Sequence, residues 1–145
     1  MATYTPTTKF GEGYQPAIGQ VCAVGAAWSI GSAVALGTAD VLSGPVVPAG
    51  ARILAVYLGA RDMDSSNTLT LDVGDSGDDN RLINAANIGT AGGISTTMVA
   101  ATGVGYQYTA ETELQVTPQA AATGSSGTAG FVTLLVHYVV EEATS

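Results

Sequence analysis

The stretch LDVGDSGDDNRL, residues 71–82, carries four aspartates within eight residues: Asp72, Asp75, Asp78 and Asp79. Clustered carboxylates could coordinate calcium, which takes oxygen ligands, or could work as a general acid–base pair. The spacing lacks the alternate-position order and the closing Glu of an EF-hand loop, and exposed loop carboxylates lack the cleft that acid–base catalysis needs. If a cation binds, the candidate ligands are Asp75, Asp78 and Asp79, but we predict no metal site and no cofactor.

A structural interpretation accounts for the same residues. Gly74 and Gly77 can supply turn conformations, and Asp75 can accept hydrogen bonds from the turn backbone. Asp72 is predicted on the outward face of the preceding strand, and Arg81 is expected to pair with a nearby aspartate.

One short helix is predicted after this turn. Either Asp78 or Asp79 could cap its N-terminus, where the helix dipole favours an anion, and Gly89 lies just past its expected end. Its apolar residues would be Leu82, Ile83 and Ala86.

The remaining chemistry-bearing residues do not form a recognisable catalytic set. His137 is the only histidine and lies in a run of strand-forming residues, so a hydrogen-bonded strand histidine is favoured over a catalytic base. Cys22 is the only cysteine, which excludes an internal disulfide and fits maturation in a reducing cytoplasm. We therefore predict no catalytic residues and no enzyme activity.

The elements that position these residues are mostly strands. Residues 51–60 are apolar on both faces, residues 68–73 alternate and match residues 112–118, and residues 129–142 form the longest β-type run. About eight short strands separated by turn signals indicate an all-β, single-domain β-sandwich, with immunoglobulin-like and jelly-roll forms both possible. We assign residues 20–145 to this domain.

Residues 1–19 are predicted to form an extended N-terminal arm, because prolines and glycines recur in them. The arm carries three aromatic residues that need a surface on which to bury: Tyr4, Phe10 and Tyr14. They could pack on the body of the same chain or dock on a neighbouring subunit.

Composition limits the possible partners. Only 11% of the residues are charged, the net charge is −8, and the basic residues number four. This excludes binding to a nucleic-acid phosphate backbone or to an acidic membrane surface, both of which require clustered Lys and Arg. The low charge suits a subunit packed against neighbours. The sequence shows no secretory signal and no apolar run long enough for a membrane helix.

The block from residue 47 to residue 93 resembles small proteins encoded beside the major capsid protein of tailed bacteriophages. The resemblance is carried by VPAGARI, by LTLDVGDSGDDNRLI and by the Gly/Thr-rich loop after them, and the ending TGSSGTAG followed by VTLLVHYVVEE extends it to about residues 45–142. Members of this group look like capsid decoration (cement) proteins or related head accessory proteins.

The resemblance implies a jelly-roll-like sandwich that forms a homo-oligomer, with a trimer expected, on the outer surface of the virion capsid. Its partners would be copies of itself and the major capsid protein, assembled in a bacterial cytoplasm. Two alternatives remain open. One is another phage structural subunit, such as a head fibre base, a neck component or a tail component. The other is a calcium-dependent carbohydrate-binding sandwich, which would need exposed aromatic residues, with Trp28, Tyr106 and Tyr108 as the candidates.

Overall fold

The computed structural model describes residues 1–13 and 17–141 of the chain. Within these residues the regular secondary structure is almost entirely β-strand, in two five-stranded sheets ordered β1-β4-β9-β6-β7 and β2-β3-β10-β5-β8. The strands are β1 Thr3–Tyr4, β2 Thr8–Phe10, β3 Val21–Ile30, β4 Val41–Val47, β5 Ala51–Ala60, β6 Thr70–Asp75, β7 Asp78–Ala86, β8 Gly93–Ser95, β9 Thr112–Ala120 and β10 Gly130–Val140.

The topology is that of a jelly roll. From β3 onward the antiparallel pairs are nested, with β3 against β10, β4 against β9, β5 against β8 and β6 against β7. One long hairpin of paired strands is thus wrapped into two facing sheets, which is the double-sheet arrangement of a jelly roll. The predicted β-sandwich is confirmed, and the immunoglobulin-like alternative is not the form adopted.

The core lies between the two sheets and follows the period-two alternation of the strands. In β10 every second residue from Val132 to Tyr138 is buried, and in β9 Leu114 and Val116 are buried as predicted. Trp28 is fully buried near the end of β3, and its indole N–H donates to the carbonyl oxygen of Ser43 across the sandwich. Burial of this apolar set is the main stabilising term for a chain without disulfides.

The helix predicted after the aspartate turn is wrong for most of its length. Residues 78–86 form strand β7, which pairs with β6, and only Asn87–Gly89 form a single 3-10 turn. Leu82 and Ile83 are buried, as a core-facing segment requires, but they are neighbours in a bulged strand rather than one face of a helix. Pairing with β6 overrides the local capping signal, because helices this short gain little stability on their own.

The N-terminal segment lies along the body of its own chain in the part that the structure describes. β1 pairs in parallel with β4 at the edge of one sheet, and β2 pairs antiparallel with β3 at the edge of the other. The segment is extended, and it adds one short strand to each sheet.

Candidate functional site

The aspartate turn is a two-residue hairpin connection between β6 and β7. Asp75 and Asp78 are opposed across the hairpin, and Oδ1 of Asp75 accepts hydrogen bonds from the backbone N–H groups of Gly77 and Asp78, at 2.9 Å and 3.0 Å. Asp75 therefore organises the turn backbone, as the sequence predicted. The signal for the hairpin was present in the Ser76-Gly77 dipeptide between two alternating runs.

The second oxygen of Asp75 joins the turn to a distant loop. Oδ2 accepts from Nε of Arg81 at 2.7 Å and from the hydroxyl of Tyr108 at 2.9 Å, and the Arg81 guanidinium lies 4.3 Å from the centre of the Tyr106 ring. The predicted ion pair of Arg81 is confirmed. Burial raises the pKa of Asp75, but the hydrogen bonds from Arg81, Gly77 and Tyr108 outweigh burial and leave that pKa below its ordinary value.

Asp72 is almost fully buried, so its predicted exposed position is wrong. The register between β6 and β7 shifts here, and two residues of β7 oppose Asp72, which makes a β-bulge. In that bulge Ala85 has a positive φ of 55°, and its N–H donates to Oδ1 of Asp72 at 2.7 Å. Burial raises the pKa of Asp72, and the Ala85 hydrogen bond only partly opposes that rise.

Asp64 is a buried hub that the sequence pattern did not reveal. Its carboxylate accepts from the backbone N–H groups of Ser66, Thr68, Leu69 and Thr123 and from the Thr68 hydroxyl. Burial raises the pKa of Asp64, but these donors together hold that pKa well below its usual range. The sequence signal was an ordinary turn composition, and the contact to Thr123 spans 59 residues, so no local pattern could identify it.

The three candidate cation ligands do not converge on one point. Both oxygens of Asp75 are engaged within the protein, Asp78 is 3.7 Å from Arg81, and Asp79 is exposed. Across residues 1–13 and 17–141, no group of three or more His, Cys, Asp or Glu side chains is placed to hold a metal ion. Asp75 instead accepts hydrogen bonds within the fold, and Asp78 forms an ion pair with Arg81.

The other singled-out residues are also placed in the sandwich. His137 lies in the middle of β10 with its ring against the edge of Tyr57, at 5.3 Å between ring centres, and Cys22 is half-buried against the core. The aromatic platform required for a carbohydrate-binding module is not formed, because Trp28 and Tyr108 are buried. No helix in the described part of the chain is both long enough and apolar enough to cross a bilayer.

The aromatic residues predicted to contact a neighbour differ in how far they are exposed. Tyr4 is half-buried and packs against the core, whereas Phe10 keeps 43% of its surface exposed. The Phe10 ring lies directly on Gly25 of β3, where a Cβ atom would overlap it, so glycine is required for this approach. Tyr14 lies outside the described residues.

Comparison with known proteins places this fold among proteins of phage capsids. No protein-family model and no curated protein matches the sequence. A chain from the cyanophage Pam1 capsid asymmetric unit is 23% identical with a TM-score of 0.66, over 93% of this chain and 95% of that one. A chain from the capsid of Ralstonia phage GP4 is 26% identical with a TM-score of 0.70, over 91% of this chain and 90% of that one. The jelly roll is therefore shared from end to end with chains of two phage capsids.

Proposed function

We propose that this protein is a structural component of a phage particle, specifically a capsid decoration (cement) protein that binds the outer surface of the head as an oligomer. The observation that carries the proposal is the end-to-end similarity to chains of two phage capsids, which covers at least 90% of each chain. Because both lengths are covered, the similarity concerns the whole protein rather than a common sandwich core.

The chemistry of the aspartates supports a structural role. The buried carboxylates of Asp64, Asp72 and Asp75 accept hydrogen bonds from the chain's own backbone and side chains. A carboxylate committed in this way stabilises the fold and is not available as a base or nucleophile. These residues therefore contribute to the stability of the fold.

The proposed mechanism is mechanical. An oligomer that sits where capsomers meet, and touches several of them, adds many shallow contacts by multivalency, so that rupture requires breaking several at once. In this proposal the N-terminal segment contacts a neighbouring subunit or the major capsid protein through Tyr4, Phe10 and Tyr14. The exposed ring of Phe10 supports that role, while Tyr4 also packs on its own body.

The experiment that tests the proposal adds purified protein to heads of its own phage that lack it. We expect saturable occupancy at fixed sites and a higher rupture temperature of the heads. Phe10→Ala should lower the affinity about tenfold or more, because it removes an exposed aromatic contact while leaving strand β2 in place.

The matched control is Val104→Ala, which truncates an apolar side chain that is 64% exposed on a loop away from the segment. It should leave occupancy unchanged. Absence of saturable binding by the wild-type protein would overturn the decoration role, and equal binding by Phe10→Ala and wild type would overturn the contact assigned to the segment.

A further inference from the structure

One face of the sandwich is apolar and exposed over most of its width. It is formed by the outward side chains of β3, β10 and β5, with edge contributions from β2 and β8, and we call it the open face. Cross-strand register places these outward residues in continuous rows, such as Phe10, Gly25, Leu135 and Tyr57. The large exposed or half-exposed apolar residues on the open face include Phe10, Val21, Tyr57, Ile94, Phe131 and Leu135.

The open face carries almost no formal charge. His137 has Ala23 and Ala55 as its cross-strand neighbours. From there toward Phe131, the outward residues of the paired strands are only Ala, Gly, Ser, Thr and apolar residues. Among the residues that the structure describes, charged side chains lie only at the two ends of the open face. Arg52 is opposite Val139 in the last row, where it is paired with Glu141 at 2.8 Å, and the exposed Arg61 follows β5 beside Phe131.

We propose that the open face is the surface through which copies of this chain associate with each other. The inference rests on the self-association included in the proposed function, but it does not depend on the capsid. Each copy has a net charge of −8, so two copies repel at long range. They can make close contact only through a surface that brings no carboxylates together, and the open face satisfies this condition.

The size of the open face fits such an interface. Its three long strands contain 10, 10 and 11 residues. At about 4.8 Å between strands and about 3.3 Å per residue, these strands and the two short edge strands cover about 590 Å². Two copies would then bury about 1,200 Å² in total, which exceeds the roughly 1,000 Å² expected of a specific interface.

The open face also contains a shallow depression into which side chains of a second copy can pack. Tyr57, Gly59, Ile94, Thr133 and Leu135 line a shallow apolar depression of about 380 Å³.

The test is the molar mass of the full-length protein in solution, measured by sedimentation equilibrium from about 1 to 100 μM. We expect the wild type to be an oligomer. Tyr57→Glu and Ile94→Glu each place a carboxylate on the open face, at residues that are 38% and 73% exposed, and should weaken association at least tenfold without unfolding the chain. Circular dichroism checks that the variants remain folded.

The matched control is Val104→Glu, which adds the same charge at an exposed apolar residue outside the open face, and it should keep the wild-type mass. A monomeric wild type, or folded open-face variants that keep the wild-type mass, would overturn the inference. If the wild type is monomeric and the open-face variants lose head binding instead, the open face binds the capsid, and head binding, as the proposed function states it, stands without self-association in solution. If the variants become monomeric but the wild type does not bind heads, the inference stands and the proposed function fails.

Discussion

At the scale of single residues, the acidic side chains act within the fold and differ in what they contribute. Asp64 and Asp75 are buried where donors surround them, so their ionised forms are favoured and their pKa values are lowered. Asp72 is buried and accepts from the Ala85 N–H, which does not offset burial, so its ionised form is disfavoured and its pKa is raised. These three aspartates lie within twelve positions of one another, yet Asp64 and Asp75 favour folding at higher pH whereas Asp72 favours folding at lower pH.

Asp72→Asn should stabilise the protein near neutral pH by on the order of 1 kcal/mol, because the amide keeps an acceptor for Ala85 and removes a buried charge. The folded-state pKa of Asp72 is raised, so the folded protein binds more protons and wild-type stability falls as pH rises through and above the ordinary Asp range. Urea unfolding at pH 7 and at pH 3 measures this. The gain should vanish at pH 3, and a less stable variant at pH 7 would refute the assignment.

Asp64→Ala should cost about 3 kcal/mol at pH 7, because it leaves several buried donors unpaired. The folded-state pKa of Asp64 is lowered, so its contribution is present above the ordinary Asp range and is lost as pH falls through the folded-state pKa. The difference from wild type in urea unfolding should therefore shrink on acidification. Asp79→Ala, at an exposed position, is the control and should change stability by less than about 0.5 kcal/mol.

At the scale of elements, the hairpin of β6 and β7 depends on close backbone approach. A Cβ atom on Gly74 would overlap the carbonyl oxygen of Asp78 and would lie 2.6 Å from the carbonyl carbon of Asp79. The backbone of β7 can therefore approach β6 this closely only because residue 74 is a glycine. The same hairpin carries the Asp75 turn and the bulge at Ala85, so its closure positions both aspartates.

Gly74→Ala should destabilise the protein by about 3 kcal/mol, because the added methyl group forces the two strands apart. Gly37→Ala is the control, since its Cβ atom would meet only Asp40 Oδ2, at an ordinary 3.7 Å. Thermal unfolding followed by circular dichroism compares the two. Equal melting temperatures for wild type and Gly74→Ala would show that the hairpin is not packed as described.

The elements that sequence reasoning predicted are those whose own residues specify them. β5, β10 and the pair of β6 with β9 follow from alternation and from β-branched and aromatic residues, and they form as predicted. β7 was missed because its aspartates and alanines also fit a capped helix, and only pairing with β6 decides between the two. Asp72 was misplaced and Asp64 was not singled out, because their partners are placed by the folded chain and not by neighbouring sequence.

At the scale of the whole molecule, the nested pairing of the jelly roll separates two kinds of surface. The aspartate hairpin and its network lie at the far edge of the β1-β4-β9-β6-β7 sheet, whereas the other sheet turns an almost uncharged face outward. A chain with a net charge of −8 gains from this separation, because an apolar surface without the aspartate cluster is left for association. This division supports a shell subunit with many neighbours.

A three-dimensional reconstruction of the assembled particle that contains this protein tests the central claim most directly. The proposal predicts density for the jelly roll on the outer surface of the head, in oligomers placed over capsomer junctions, with the N-terminal segment in contact with a neighbouring subunit or the major capsid protein. Density for the chain only at the neck, in the tail or inside the head, with none on the outer surface, would contradict the decoration role.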